Sequence, residues 1–139
     1  MKQSKQKGMA AIEFIWSLPV LLLILAGIFD FSRAFIEYTV LDKAVRSGGR
    51  YAIVGKPNTA STIADISEIE NMVVYGNIAG TGDTKLNGLT TAGVNVVEST
   101  NYVTVTATYQ YSPLFSPIPY TGITLDIPLV ASSVMRTKP

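Results

Sequence analysis

The stretch that decides the fold is residues 8–33, which reads GMAAIEFIWSLPVLLLILAGIFDFSR. From Met9 to Phe29 this stretch carries a single charged residue, Glu13. An α-helix rises about 1.5 Å per residue, so twenty such residues cover the roughly 30 Å hydrocarbon core of a bilayer. The sequence therefore predicts a transmembrane helix over residues 9–29.

A short basic segment precedes the apolar run. Lys2, Lys5 and Lys7 stand there, and no acidic residue occurs before Glu13. Basic residues flanking a membrane helix stay on the cytoplasmic side, which sends the rest of the chain across. The pattern predicts a leader over residues 1–8 and a single pass through the cytoplasmic (inner) membrane, with the C-terminal domain outside the cytoplasm.

Three interpretations of the apolar run compete. A secretory signal has a shorter apolar stretch and a small-x-small cleavage site, and residues 26–34 offer no convincing one. A plain uncleaved anchor fits the length but leaves Glu13 unexplained, because a carboxylate near the bilayer centre costs about 2.5–3.5 kcal/mol. At the level of the lipid headgroups the same carboxylate would merely be tolerated. The third interpretation is a processed precursor.

The sequence from Gly8 to Phe14 resembles the prepilin peptidase site of type IV pilins and their relatives. The resemblance implies that a peptidase cuts after Gly8, so that the mature chain begins at Met9 and Glu13 is its fifth residue. Glycine lets the backbone extend in the peptidase cleft without a side chain. Glu13, from the same or a neighbouring subunit, is then the counter-charge of the Met9 ammonium group, which offsets part of the burial cost of both.

The helical pattern continues beyond the membrane segment. Pro19 predicts a kink near residues 15–19, although a harmless membrane-helix proline is an equally good interpretation. A stalk helix is predicted over residues 30–54, ended by Gly55 and Pro57. It carries apolar residues at spacings of three and four, namely Phe31, Ala34, Phe35, Tyr38, Leu41, Val45 and Gly48. We expect this stripe to pack on the chain's own head domain; contact with other subunits is the alternative.

Three further motifs sharpen the resemblance: Leu18-Pro19, the run from Gly27 to Arg33, and the Ala/Arg/Gly-rich run from Ala44 to Ala52. Together they are similar to the TadE-like family, minor pilin-like proteins of tight-adherence (Flp/Tad, type IVb-like) pili. Asp30 departs from the family pattern, where glutamate is common, and so does Ser47-Gly48-Gly49, but both exchanges are small.

The TadE-like resemblance implies a minor pilin or pseudopilin that acts in pilus assembly, priming or stabilisation, and hence in adhesion. It implies four kinds of partner: a prepilin peptidase, other pilin or minor pilin subunits, inner-membrane pilus assembly proteins and membrane lipid. A major pilin of the shaft is disfavoured, because tight-adherence shaft subunits have little beyond their helix. The remaining alternative is a membrane-anchored periplasmic binding or assembly module that never enters a filament.

Residues 55–139 are predicted to form an α+β head outside the cytoplasm. A short helix is expected from Asn58 to Asn77, capped by Thr59 or Ser61, followed by a glycine-rich loop over residues 76–88. Three strands are expected at residues 94–98, 102–111 and about 123–135, with a turn at 98–101 and a break or bulge at Pro128. The predicted fold class is thus α+β: a long N-terminal transmembrane-plus-stalk helix packed on a small antiparallel sheet, with one short extra helix.

Four aromatic residues of the head allow two interpretations. They could form an exposed adhesive patch, but we expect them to pack the sheet against the helix, because aromatic side chains dominate small cores. These residues are Tyr109, Tyr111, Phe115 and Tyr120.

The residue inventory argues against catalysis. The chain has no cysteine and no histidine, so the usual zinc and copper ligands and the Cys–His and Ser–His–Asp nucleophiles are missing. Asp83 lies in a loop, but the acid spacing of an EF-hand is missing, so no metal site is predicted. A net charge of +1 gives no basic field for nucleic acid. We expect no enzyme activity, cofactor, nucleic-acid partner or small-molecule substrate.

Overall fold

The computed structural model describes residues 4–57, 61–114 and 126–137. Two α-helices come first, α1 (Ser4–Val54) and α2 (Ile66–Val74). A 3₁₀ turn (Thr91–Gly93) then leads into strands β1 (Val94–Ser99), β2 (Tyr102–Tyr111) and β3 (Ile127–Arg136). This order confirms the predicted α+β class. The chain divides into two compact units, residues 1–33 and residues 34–139.

Helix α1 is 51 residues long and begins earlier than the sequence predicted. Residues 4–8, which precede the predicted start at Met9, are already helical, and lysine and glutamine, which fill positions 5–7, are strong helix formers. Helix α1 ends at Val54, as predicted. There the backbone N–H of Gly55 donates to the Tyr51 carbonyl at 2.7 Å and closes the last turn.

The core of the second unit joins the later part of α1 to α2 and the sheet. Its fully buried members are Leu41, Val45 and Ala52 from α1, Ile69, Val73 and Val74 from α2, and Val103, Val105 and Ala107 from β2. These residues form one contiguous cluster. The prediction that the helix packs on a small antiparallel sheet is therefore confirmed.

The predicted apolar stripe is only partly buried. Leu41, Val45 and Gly48 are buried, whereas Phe35 is 64% exposed and Tyr38 is 42% exposed. Successive residues of a helix are about 100° apart, so Phe35 lies roughly 120° around the helix from Leu41 and Tyr38 roughly 60°. The expectation that Phe35 and Tyr38 pack on the head domain with the rest of the stripe is therefore wrong.

Two adjacent glycines let α1 approach its neighbours closely. A methyl group built on Gly48 would overlap Cγ2 of Val73 in α2. One built on Gly49 would lie 3.1 Å from Oγ of Ser133 and 3.3 Å from Cγ of Met135, both in β3. Since helical neighbours project about 100° apart, Gly48 serves the contact with α2 and Gly49 serves the contact with β3.

The sheet is antiparallel with strand order β1-β2-β3. Ser99 of β1 pairs with Tyr102 of β2, so a two-residue turn joins these strands within the predicted 98–101 segment. Alternate residues of β2 from Val103 to Tyr111 are buried, which confirms the predicted inner face. Tyr109 and Tyr111 therefore belong to the core and not to an adhesive patch. Phe115 and Tyr120 lie outside the described residues.

Strand β3 differs from its prediction at Pro128. The strand runs unbroken from Ile127, and Pro128 keeps its place in the register opposite Gln110. The predicted break is wrong because β3 is an edge strand, where a missing N–H can face outward without loss of a ladder bond. Residues 123–125 of the predicted strand lie outside the described residues.

Helix α2 is much shorter than the predicted span from Asn58 to Asn77. Its N-cap is Asp65, so the predicted cap Ser61 is wrong, and Thr59 lies outside the described residues. The N–H of Ala64 donates to the carbonyl of Ala52 at 2.8 Å, and Ala64 is buried. This contact ties the residues before Asp65 to the end of α1 and keeps them out of a helix.

Candidate functional site: the exposed N-terminal segment of helix α1

The apolar segment of α1 is exposed in the described part of the chain. An 18-residue window within Met9–Val54 reaches a mean hydropathy of 2.3, and none of that window is buried. Within the described residues this is the one helix long and apolar enough to cross a membrane. The large side chains from Met9 to Phe29 are exposed, with Trp16 the most open at 80%. The segment is therefore a candidate membrane span.

The sequence-predicted site residues all lie on this helix. Gly8 and Met9 are both helical, so the peptide bond between them belongs to a continuous helix. Met9 and Glu13 are exposed and stand four residues apart, which places them on one helix face. Pro19 is exposed and lies about six residues further along the helix.

Helix α1 continues through Pro19. A proline inside a helix lacks the N–H that would bond the carbonyl four residues earlier, here that of Ile15. Ser17 donates its hydroxyl to the Phe14 carbonyl at 2.9 Å, and Ser32 donates to the Ile28 carbonyl at 2.8 Å. These hydroxyl groups are thus satisfied by the helix itself, as an apolar surrounding requires. The kink at residues 15–19 stays a prediction.

A hydrogen bond between two titratable side chains joins α1 and α2 in the second unit. The Tyr51 hydroxyl donates to Oε2 of Glu68 at 2.7 Å. This hydrogen bond raises the pKa of Tyr51 above its usual 10.0, and burial and the negative charges of Glu68 and Asp65 raise it further. No sequence pattern indicates this pair, because its members are seventeen residues apart on different helices.

The described residues do not bring metal-binding side chains together. No group of three His, Cys, Asp or Glu side chains within residues 4–57, 61–114 and 126–137 could hold a metal ion. Asp83 is exposed in a stretch without helix or strand. The chemistry of the candidate site is therefore that of an exposed apolar helix with one carboxylate.

Comparison with known proteins identifies a family that resembles the N-terminal part of the chain. A family model described as "TadE-like protein" matches residues 8–50, which begin at Gly8 and contain the whole apolar segment. Neither the curated proteins nor the solved structures yield a match. The family match confirms the resemblance seen in the N-terminal motifs.

The match indicates a protein associated with the tight-adherence pilus, which interacts with other pilus components. This family is not an enzyme family. Over residues 8–50 the chain is thus similar to the TadE-like family.

Proposed function

We propose that this protein is a minor pilin-like subunit of a tight-adherence pilus, made as a membrane-inserted precursor and cut after Gly8. The observation that carries the proposal is the coincidence of two boundaries. The TadE-like match begins at Gly8, and the apolar run begins at the next residue, Met9. Cleavage at this bond would leave a mature chain whose membrane segment starts at its own N-terminus.

Residues 4–8 are helical, which affects how a peptidase could reach the bond after Gly8. A peptidase needs an extended backbone, so the helix must unwind locally around the bond between Gly8 and Met9. Glycine lowers helix stability by about 1 kcal/mol relative to alanine, which eases unwinding at this position. A bulky residue there would both strengthen the helix and crowd the peptidase cleft.

The cut would give Glu13 a partner. The new ammonium group at Met9 and the carboxylate of Glu13 are four residues apart on one helix face. An acidic residue near a helix N-terminus is also favoured by the helix dipole. Glu13 of the same or a neighbouring subunit then lowers the free energy of placing the ammonium group at membrane depth.

The proposed partners follow from this arrangement. A prepilin peptidase on the cytoplasmic side of the inner membrane removes residues 1–8, and lipid covers the apolar segment before assembly. Other pilin subunits and inner-membrane assembly proteins then replace lipid around residues 9–29. Residues 55–139 lie outside the cytoplasm, where the subunit primes, caps or stabilises the pilus.

N-terminal sequencing and intact mass of membrane-extracted protein test the cut. We expect a mature chain beginning at Met9, in which loss of three lysines changes 11 − 10 = +1 to 8 − 10 = −2. Gly8→Leu should leave the precursor uncut but still inserted. The matched control is Gly27→Leu, at a glycine of the same helix with open space around it, which should be cut normally.

An intact Met1 on the membrane-extracted wild-type protein would contradict the proposal. The protein would then be a membrane-anchored assembly module that does not enter a filament.

Glu13→Ala tests the counter-charge. We expect cleavage to persist, because the carboxylate serves the ammonium group after the cut, and incorporation into sheared pili to fall strongly. Ser17→Ala, four residues further along the same face, is the control and should assemble as the wild type does. Normal co-purification of Glu13→Ala with pili would show that Glu13 is merely tolerated at the headgroup level.

A further inference from the structure

A pocket of about 310 Å³ lies in the second unit, between α1, α2 and the loop that follows α2. Its walls combine apolar side chains with a polar rim. Val40, Ala44 and Met72 supply the apolar part, and Lys43, Ser47 and Lys85 supply two ammonium groups and a hydroxyl. All of these residues lie within residues 34–139. The α1 side of the pocket lies within the TadE-like match over residues 8–50, whereas the side formed by α2 and the loop lies beyond it.

The loop holds Lys85 in place at this pocket. Its backbone N–H donates to the carbonyl of Val74, near the end of α2, at 2.7 Å. Its side chain crosses Gly76, where a methyl group would overlap Cε and lie 2.7 Å from Nζ. Gly76 has φ +78°, so glycine both suits the backbone and opens the slot that the lysine stem fills.

Neither lysine of the pocket is neutralised within the described part of the chain. The described structure gives no ion pair for Lys43 or Lys85, whereas Arg46 pairs with Asp42 at 2.9 Å. The helical neighbours of Lys43 at three and four residues are Thr39, Val40, Arg46 and Ser47, and none is acidic. A lysine near a helix C-terminus can balance the helix dipole, which accounts for Lys85 but not for Lys43.

We infer that this pocket binds an amphiphilic anion, with a phosphate or carboxylate head at Lys43 and Lys85 and a short aliphatic chain against Met72 and Val40. Lysine binds phosphate as a point charge, and methionine adapts to aliphatic chains of varied shape. A pocket of this size holds roughly ten non-hydrogen atoms, since each occupies about the 30 Å³ of a water molecule. The head comes from a free metabolite-sized anion or from a lipid headgroup.

The test uses the full chain in an uncharged maltoside detergent, with ¹³C-methyl-labelled methionine. The chain has four methionines, of which Met72 lines the pocket and Met135 lies beside Gly49 instead. Hexyl phosphate, with about eleven non-hydrogen atoms, is the probe. We expect a saturable shift of the Met72 methyl signal, none at Met135, weaker binding of inorganic phosphate, and no saturation with hexanol.

Charge removal makes the test specific. Lys43→Gln and Lys85→Gln should each weaken hexyl phosphate binding by about two- to fivefold and the double variant by about tenfold, as expected for partly exposed ion pairs. Arg136→Gln removes an exposed cation on β3 and should leave the affinity unchanged. Equal binding of hexanol, unchanged affinity in the double variant, or no saturable shift at Met72 would each overturn the inference.

A second arm separates the two sources of the anion. The labelled chain is placed in nanodiscs of phosphatidylcholine alone or with added phosphatidic acid. A Met72 shift that appears with phosphatidic acid and disappears in the double variant identifies a lipid headgroup. A Met72 shift that needs soluble hexyl phosphate in both kinds of nanodisc identifies a free anion.

Discussion

Two stretches of helix α1 show opposite relations between hydrophobicity and burial. Residues 9–29 are almost wholly apolar and exposed, whereas residues 41–52 are mixed in composition and contribute to the core of the second unit. Leu22 in the first stretch is 55% exposed, and Leu41 in the second is fully buried. The apolar side chains of the first stretch therefore do not serve the chain's own fold. They require an apolar environment that other molecules supply.

Two different kinds of sequence constraint act on the two stretches of helix α1. In residues 41–52 the shape of each residue matters, because Gly48 and Gly49 meet side chains of α2 and β3 at contact distance. In residues 9–29 overall hydrophobicity and length matter, and Gly27 has open space where a side chain would lie. Matched substitutions in the two stretches should therefore have unequal effects on the stability of the head.

The two units carry separate spectroscopic reporters. All seven tyrosines lie within residues 34–139, and the single tryptophan, Trp16, lies in the apolar segment. Tyrosine near-ultraviolet circular dichroism of the full chain in detergent therefore reports on the folding of the second unit, which includes the head. Tryptophan fluorescence reports on the surroundings of the apolar segment.

Leucine-to-alanine substitution should show the largest difference between the stretches. Leu41→Ala removes a fully buried side chain, and we expect it to lower the free energy of unfolding of the head by about 2–5 kcal/mol. Leu22→Ala should leave the same unfolding transition unchanged. Chemical denaturation followed by the tyrosine signal measures both. An equal effect of the two substitutions would mean that residues 9–29 also stabilise the head.

Glycine-to-alanine substitution should show a smaller difference. Gly48→Ala places a methyl group on Val73, and we expect the displaced packing to lower the free energy of unfolding by about 1–3 kcal/mol. Gly27→Ala meets no neighbour and should not weaken the head, although it favours the helix by up to about 1 kcal/mol. Chemical denaturation followed by the tyrosine signal measures the free energy of unfolding of both glycine variants. A Gly48→Ala variant as stable as the wild type would contradict the close approach of α1 and α2.

Periodicity and composition predicted the elements that depend on local pattern. The long helix and its end at Val54 follow from apolar spacing and from Gly55 and Pro57. Strand β2 follows from strict alternation, which needs no knowledge of neighbours. The candidate membrane span follows from length and hydropathy alone.

The features that depend on tertiary contacts could not be predicted. The start of α2 is decided by a hydrogen bond from Ala64 to Ala52, which no local pattern shows. Pro128 is accommodated because β3 lies at the sheet edge, and strand order is not visible in one sequence. The pocket with Lys43 and Lys85 likewise joins residues that are far apart in sequence. Lys85 lies in a glycine-rich loop, whose sequence does not indicate which helix it contacts.

The smallest predicted effect concerns the hydrogen bond from Tyr51 to Glu68, which has no counterpart in residues 9–29. Because the pKa of Tyr51 is raised by folding, its contribution to stability is complete below the ordinary tyrosine pKa of 10.0. The contribution disappears as the pH rises through the higher pKa of the folded state. Tyr51→Phe should therefore be slightly less stable than the wild type at neutral pH, and the difference should vanish in strong alkali.

Thermal unfolding of the full chain between about pH 7 and about pH 11.5 measures this difference across the tyrosine titration. The informative quantity is the wild type minus Tyr51→Phe, because this difference removes every contribution that the two proteins share. Tyr102→Phe, at a half-exposed position beside the β1–β2 turn, is the control for removal of a tyrosine hydroxyl elsewhere in the second unit. Parallel curves for Tyr51→Phe and the wild type at every pH would show that the bond to Glu68 adds nothing to the contact between α1 and α2.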